Sequence, residues 1–295
     1  MNKRQALIDI GSHSVLFLAA ENDGGARSLR ILAQDRVATK LLATAFSPQS
    51  DAVAATRQAI ARFVATAEEL NCPVIAFATE ALRRSDKQQY FLDMLAQDFD
   101  LACEIMSGNE EALYTYRANL PEHNQTVCIA DLGSGSLEMA RGKGDTIAAT
   151  ASFKLGVLHL SRQLQLNPQL GMRDYDRLQA KLDERKLKRF LKMAVGHRLV
   201  VSGGTASALC EIAAEQHPFD EYLSLTRSQC WSLFTRFNQL PVEERSALLS
   251  EGSERAPYLS VGILILIVIM QKMQVDRIYL SQRGARFGKM MELLQ

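Results

Sequence analysis

The chain has 295 residues, 47% hydrophobic and 23% charged, which excludes a disordered polypeptide and leaves room for two ordinary domains. A formal net charge of +1 excludes a global polycation built to wrap nucleic acid, without excluding a local basic cleft. The five cysteines are scattered, with no C-x-x-C and no histidine at metal-ligand spacing. Neither a disulfide framework nor a zinc site is expected, only reduced thiols of a cytoplasmic protein.

At the start, Lys3 and Arg4 are followed by Asp9 too soon for a secretion-signal core. Strands are expected at 5–10, 14–20 and 29–36, with Asp23-Gly24-Gly25 as a turn. Val53, Ile60, Phe63, Val64 and Leu70 recur at roughly helical spacing over 51–70, behind a capping Ser50 or Asp51. A short buried strand over 74–78, a helix over 80–97, a strand over 102–106 and a helix over 109–118 follow. Pro121-Glu122-His123-Asn124-Gln125 breaks the pattern, and a boundary between domains 1–124 and 125–295 is expected there. The second half repeats the opening, with strands at about 126–131, 136–141 and 145–153 and Gly142-Lys143-Gly144-Asp145 as the turn. Helices at 155–165 and 173–194 come next, then a strand at 198–202 and helices over 204–215, 226–237, 241–249 and 256–273. A strand at 276–281 and a last helix, which can pack back on the first domain, close the chain. The apolar run 261–270 is about half of a ~20-residue membrane span and reads as a buried helix or strand, so no membrane partner is expected.

One phrase is written twice. Asp9-Ile10-Gly11-Ser12-His13-Ser14 and Asp131-Leu132-Gly133-Ser134-Gly135-Ser136 each follow an apolar run suited to a buried strand. Glycine lets the backbone turn sharply and approach a ligand. The serine hydroxyls and the N–H groups around them can surround an anion. Asp9 and Asp131, at the strand ends, can hold a divalent cation through hard oxygen ligands, or can simply cap the turns. Two such loops facing each other across a cleft between halves would clamp a chain of phosphates.

These motifs, with Ala78-Thr79-Glu80-Ala81-Leu82-Arg83, Ser107-Gly108-Asn109-Glu110-Glu111-Ala112, an extension through Leu137-Glu138, and Ser202-Gly203-Gly204-Thr205, occur in an order that resembles the exopolyphosphatase/guanosine pentaphosphate phosphohydrolase family, short two-domain members in particular. The tail from Ser281 to Gly288 matches more loosely. The resemblance implies an α/β fold of two actin-like (ASKHA, ribonuclease H-like) domains with mixed sheets and an interdomain cleft. It implies an exo-acting phosphohydrolase that uses Mg2+ to release terminal orthophosphate from polyphosphate or the 5′ γ-phosphate from guanosine pentaphosphate. It aligns Glu111 with the general base, Asp131 and Glu138 with acids around metal and water, and Arg83 with a phosphate-binding arginine. Polyphosphate or guanosine penta- or tetraphosphate would be the partner, not DNA or RNA. A homodimer with the apolar C-terminal helix at its seam is one assembly open to it.

Each residue also has a plainer reading. Glu111 can activate water or merely favour a helix N-terminus. Glu138 can orient water or the hydration shell of the metal, or sit in solvent. Arg83 offers a fork that suits phosphate, or a surface ion pair. The turns Gly11-Ser12-His13-Ser14 and Gly133-Ser134-Gly135-Ser136 should supply N–H donors to phosphate, and Gly203-Gly204-Thr205, between a strand and a helix, looks like a third anion-contact turn. His13 stands where the family more often has Asn; it can donate to phosphate or be tolerated. His123, His159, His197 and His217 read as structural or surface residues. The basic stretch from Lys181 to Lys192 can guide a polyanion, but a solvated helix face is the better reading. Ser134, Leu137, Leu16, Lys87 and Phe287 depart from the family pattern, where Gly, Thr, Arg or His, Asn and Glu are usual. The principal acids are all present, so catalysis is still expected; the altered second loop and tail favour the competing reading, a weakly active or inactive regulatory protein that binds alarmone or polyphosphate.

Overall fold

The computed structural model describes residues 3–25, 28–41, 50–120, 125–216, 223–249 and 255–295, with the backbone alone over 213–216. The chain forms two compact units, Met1–Tyr114 with Ala285–Gln295, and Thr115–Gly284. The first half runs β1 (Arg4–Ile10), β2 (Ser14–Asn22), β3 (Leu29–Ala38), α1 (Asp51–Glu69), β4 (Val74–Ala78), α2 (Glu80–Arg83), α3 (Gln88–Phe99), β5 (Cys103–Ile105) and α4 (Gly108–Ala118). The second runs β6 (Thr126–Leu132), β7 (Leu137–Lys143), β8 (Thr146–Phe153), α5 (Val157–Gln163), α6 (Met172–Leu182), α7 (Arg185–Lys192), β9 (Arg198–Gly203), α8 (Gly204–Gln216), β10 (Ser224–Thr226), α9 (Arg227–Gln239), α10 (Val242–Ser246), α11 (Ala256–Met273) and β11 (Arg277–Leu280), and α12 (Ala285–Leu294) ends the chain. The division between units passes through α4, ahead of the 121–125 segment that the sequence suggests; residues 121–124, His123 among them, lie outside the described residues, as does His217.

The sheet of the first unit has the order β3-β2-β1-β4-β5. β1 to β3 pair antiparallel, and β1, β4 and β5 pair parallel. The sheet of the second unit, β10-β11-β9-β6-β7-β8, contains the same order read from its other edge, with β10 added. Each unit has its own core. In the first, α1 presents Val53, Ile60 and Phe63 to the sheet, and the ring of Phe63 stacks on Phe17 at 5.1 Å. α12 packs against β1 and β2, and Asn22 donates to the Leu294 carbonyl at 2.9 Å.

In the second unit α11 lies at the centre, packed by α5 through α10. It is long and apolar enough to cross a membrane, but 78% of the helix is buried inside the protein, which makes it a core helix. The run at 261–270 is thus helical rather than extended.

Two expected helices are each broken. The 80–97 stretch becomes α2 and α3 around a turn in which Ser85 Oγ accepts from the Lys87 N–H at 3.0 Å. The 173–194 stretch becomes α6 and α7 around Asp183 and Glu184, which take Lys272 and Lys181 as partners. At the first break a short polar side chain competes with helical hydrogen bonding and at the second the carboxylates are held by ion pairs; apolar periodicity registers neither. Lys181 therefore stands on α6, apart from the basic residues of α7. The three-residue β10 is too short for alternation to reveal. Four cysteines are buried and Cys103 is half-buried; burial pushes Cys103, Cys128 and Cys230 up to about 12 and Cys210 to about 11, so these are inert thiols.

Candidate active site

Both copies of the repeated phrase form the same hairpin turn. Gly11 N–H donates to the Ser14 carbonyl and Gly133 N–H to the Ser136 carbonyl, each at 3.0 Å. The strands leading in are apolar and buried, so each Asp is carried to the end of a rigid strand.

The second turn is held from behind by α5. The N–H groups of Val157 and Leu158 donate to the carbonyls of Gly133 and Ser134 at 3.0 and 2.9 Å, and that of His159 also donates to Ser134. Gly156 lies flat on the turn, where a Cβ would overlap the Gly135–Ser136 peptide. The carbonyls of Gly133, Ser134 and Gly135 are thus turned toward α5. Among the described residues the N–H groups of Ser134, Gly135 and Ser136 meet no acceptor. In the first turn the His13 carbonyl accepts from the Thr39 and Lys40 N–H groups, both at 2.9 Å, and Ser12 and Ser14 are buried.

The two copies differ in what lies across the sheet. Asp131 is in register with Glu138 on β7 and Ser202 on β9, and Glu138 with Ser152 on β8. Cross-strand partners project from the same face, so Ser202, Asp131, Glu138 and Ser152 form one polar rung. Ser152 Oγ donates to Glu138 Oε1 at 2.7 Å, and Glu138 is only 4% exposed. Thr115 Oγ1 donates to Asp131 Oδ2 at 3.1 Å. Ser202 is fully buried, and its Oγ finds no partner among the described residues. At the equivalent rung of the first unit, Asp9 is in register with Leu16 and Phe77. The repeat is shared by the backbone and not by the chemistry.

Gly203 closes the recess around Asp131. Its φ of +89° is left-handed, and a Cβ there would stand 2.7 Å from Asp131 Oδ1. α8 starts at the next residue. The side chain of Thr205 is buried against Gly262 of α11, so only its backbone is placed to meet an anion. Arg255 lies over Gly204 and donates to its carbonyl at 3.2 Å, a cation at a helix N-terminus. No motif reveals Arg255, and Ser152 and Thr115 lie outside the motifs. Ser202 lies inside one without having drawn a role.

In the first unit Arg83 and Glu111 meet. Arg83 Nη1 donates to Glu111 Oε2 at 2.9 Å and to the Met106 carbonyl at 2.6 Å. Both side chains are largely buried, at 23% and 13% exposure. The other guanidinium N–H groups of Arg83 meet no acceptor among the described residues. Glu110 faces elsewhere, closing a capping box with Ser107: its carboxylate accepts from the Ser107 N–H at 2.8 Å, and its own N–H donates to Ser107 Oγ at 3.2 Å.

The donor set open to a Mg2+ ion in the second unit centres on Asp131 and Glu138. Asp131 and Glu138 are hard oxygen ligands on adjacent strands, where two like charges repel unless a cation or proton intervenes. Among the described residues no group of three or more His, Cys, Asp or Glu side chains converges. A pair of carboxylates suits an ion that keeps much of its water and takes its other ligands from phosphate.

A model of the Ppx/GppA phosphatase family matches residues 19–295. The guanosine-5′-triphosphate,3′-diphosphate pyrophosphatases of Vibrio campbellii and Vibrio parahaemolyticus are 25% and 26% identical over 98% of this chain. The chain spans 59% of the length of each of these relatives. A crystal structure of an Aquifex aeolicus Ppx/GppA family member superposes with a TM-score of 0.82 at 26% identity, covering 100% of this chain and 98% of that one. An exopolyphosphatase from Cytophaga hutchinsonii shares the fold at a TM-score of 0.90 and 20% identity, covering 99% of this chain and 98% of that one. The two mixed sheets with their helices form the actin-like α/β architecture that the resemblance implies.

Proposed function

Since the chain belongs to the Ppx/GppA phosphatase family, we propose that it hydrolyses phosphoanhydrides, releasing terminal orthophosphate from inorganic polyphosphate or the 5′ γ-phosphate from guanosine pentaphosphate. The observation that carries this reading is the rung Ser202–Asp131–Glu138–Ser152, an acidic pair in which the Thr115 hydroxyl donates to Asp131 and the Ser152 hydroxyl to Glu138, beneath a turn with outward N–H groups.

Cleaving a phosphoanhydride by water requires charge neutralisation, alignment and an oriented nucleophile. The N–H groups of the second turn, which meet no acceptor among the described residues, would bind phosphate oxygens, and the first turn would act likewise. Asp131 and Glu138 would hold Mg2+, and Asp9, at the matching strand end of the first unit, would be a further acid for a cation. When bound, the ion supplies neutralisation of charge on the phosphate oxygens. Glu111, held by Arg83, is an oriented hydrogen-bond acceptor suited to positioning water and taking its proton. The unused donors of Arg83 would reach a phosphate oxygen.

The competing reading, a binding protein with little turnover, is favoured by the apolar residues Leu16 and Phe77 in register with Asp9, where Asp131 has Glu138 and Ser202. The deciding experiment measures orthophosphate release from both substrates, with and without Mg2+, alongside binding. Wild type should release orthophosphate only with Mg2+, and Glu111→Gln should lose about 10²-fold or more while still binding substrate. Equal release by the variant would remove Glu111 as the base. Tight binding without release by wild type would leave the binding protein.

A further inference from the structure

α7 carries a second feature that the chemistry above does not use. Arg185, Lys188, Arg189 and Lys192 stand at i, i+3, i+4 and i+7, and all are exposed. Leu187, Phe190 and Leu191 form the opposite, buried face, packed toward α11. The helix contains no acidic residue. Among the described residues, only Lys188 of these four has an ion pair, to Asp183 at 3.7 Å, and Asp183 is already taken by Lys272 at 2.7 Å.

Such a stripe works against its own helix. Arg185 and Lys186 stand in the first turn, at the positive end of the helix dipole. Arg185 with Arg189, and Lys188 with Lys192, are like charges at i,i+4, each pair destabilising by a few tenths of a kcal/mol. A linear anion along the stripe would reverse each of these terms at once. The helix rises 1.5 Å per residue, so the four cations extend over roughly 10 Å, enough for several consecutive phosphoryl groups.

We propose that α7 is a docking strip for the distal part of a polyphosphate chain, outside the reacting end. This rests on the reading of the protein as a polyphosphate hydrolase. A base-free polyanion is favoured over single-stranded nucleic acid because the exposed face of α7 carries no aromatic side chain on which bases could stack, Phe190 being only 9% exposed. A membrane surface is disfavoured because the apolar face of the helix is already spent in the core.

The test is fluorescence anisotropy with end-labelled long-chain polyphosphate. It compares wild type with the quadruple variant Arg185→Gln, Lys188→Gln, Arg189→Gln, Lys192→Gln and with the two pairwise variants, Arg185→Gln with Arg189→Gln and Lys188→Gln with Lys192→Gln. The quadruple variant should bind about tenfold or more weakly at low salt, with a shallower dependence of log Kd on log salt, and each pair should lose part of that. Tripolyphosphate binding should not change, and thermal melting should be equal or higher because repulsion has been removed. Unchanged affinity of the quadruple or of both pairwise variants for the long chain overturns the proposal. So does a wild type that prefers single-stranded RNA of matched charge, or anionic vesicles, and loses that preference in the variants. The assay needs no turnover: long-chain binding through α7 without orthophosphate release would remove the proposed activity and keep the strip, and release without an effect of the variants would do the reverse.

Discussion

Glu110 and Glu111 are chain neighbours with separate tasks, because adjacent positions of a helix point in different directions. Glu111 turns to Arg83, whereas Glu110 caps the helix through Ser107, whose hydroxyl and N–H hold the Glu110 carboxyl below the usual carboxylate range. A depressed carboxyl contributes stability above its unfolded pKa and loses it as pH falls through the folded value. Thermal melts should therefore place Glu110→Ala below wild type by about 1 kcal/mol or less at neutral pH, with the gap closing toward about pH 3. Gly156 makes a sharper case. A side chain there must displace the Gly135–Ser136 peptide, so Gly156→Ala should lower orthophosphate release by about 10²-fold if the turn shifts by about an ångström. Kinetics beside a melting curve would check it: lost activity in a folded protein is expected, and full activity would show that the turn does not bind the phosphate.

At the scale of elements, α11 and α7 contrast. Fourteen residues of α11 are buried, and Ile265 is fully so. Ile265→Ala should cost about 2–5 kcal/mol, read as a shift in denaturation midpoint. A much smaller cost would mean that the helix is less enclosed than its packing indicates. The existence of α11 was legible in its apolar run, although the run alone left helix and strand open; its neighbours decide for helix. Arg245 was not legible at all. It is fully buried and donates to the carbonyls of Pro168, Asn238 and Leu240, a stitch between distant loops that no local pattern records. The breaks at Ser85–Lys87 and Asp183–Glu184 were hidden for the same reason, since a side-chain to backbone bond at Ser85 and ion pairs at Asp183 and Glu184 leave apolar periodicity intact.

At the scale of the whole molecule, two units with separate cores share one strand order. The repeated Asp-x-Gly-Ser phrase announced that duplication, because a strand ending in a turn of fixed length is a local matter of alternation and glycine. The candidate acids Asp9, Glu111, Asp131 and Glu138, and the turns after the two Asp residues, were all readable from motif and order. What the chain could not disclose is which side chains lie abreast. Only pairing across β9, β6, β7 and β8 places Ser202 and Ser152 in line with Asp131 and Glu138, and only the first sheet puts Leu16 and Phe77 beside Asp9. Sequence by itself determined most of the elements, though not the helix breaks or β10, together with the duplication and the chemical inventory, since these follow from short-range propensity and residue type. Tertiary structure decided that the polar rung exists in one copy and that Arg83 is bound to Glu111, since register and long-range contact join residues far apart in the chain.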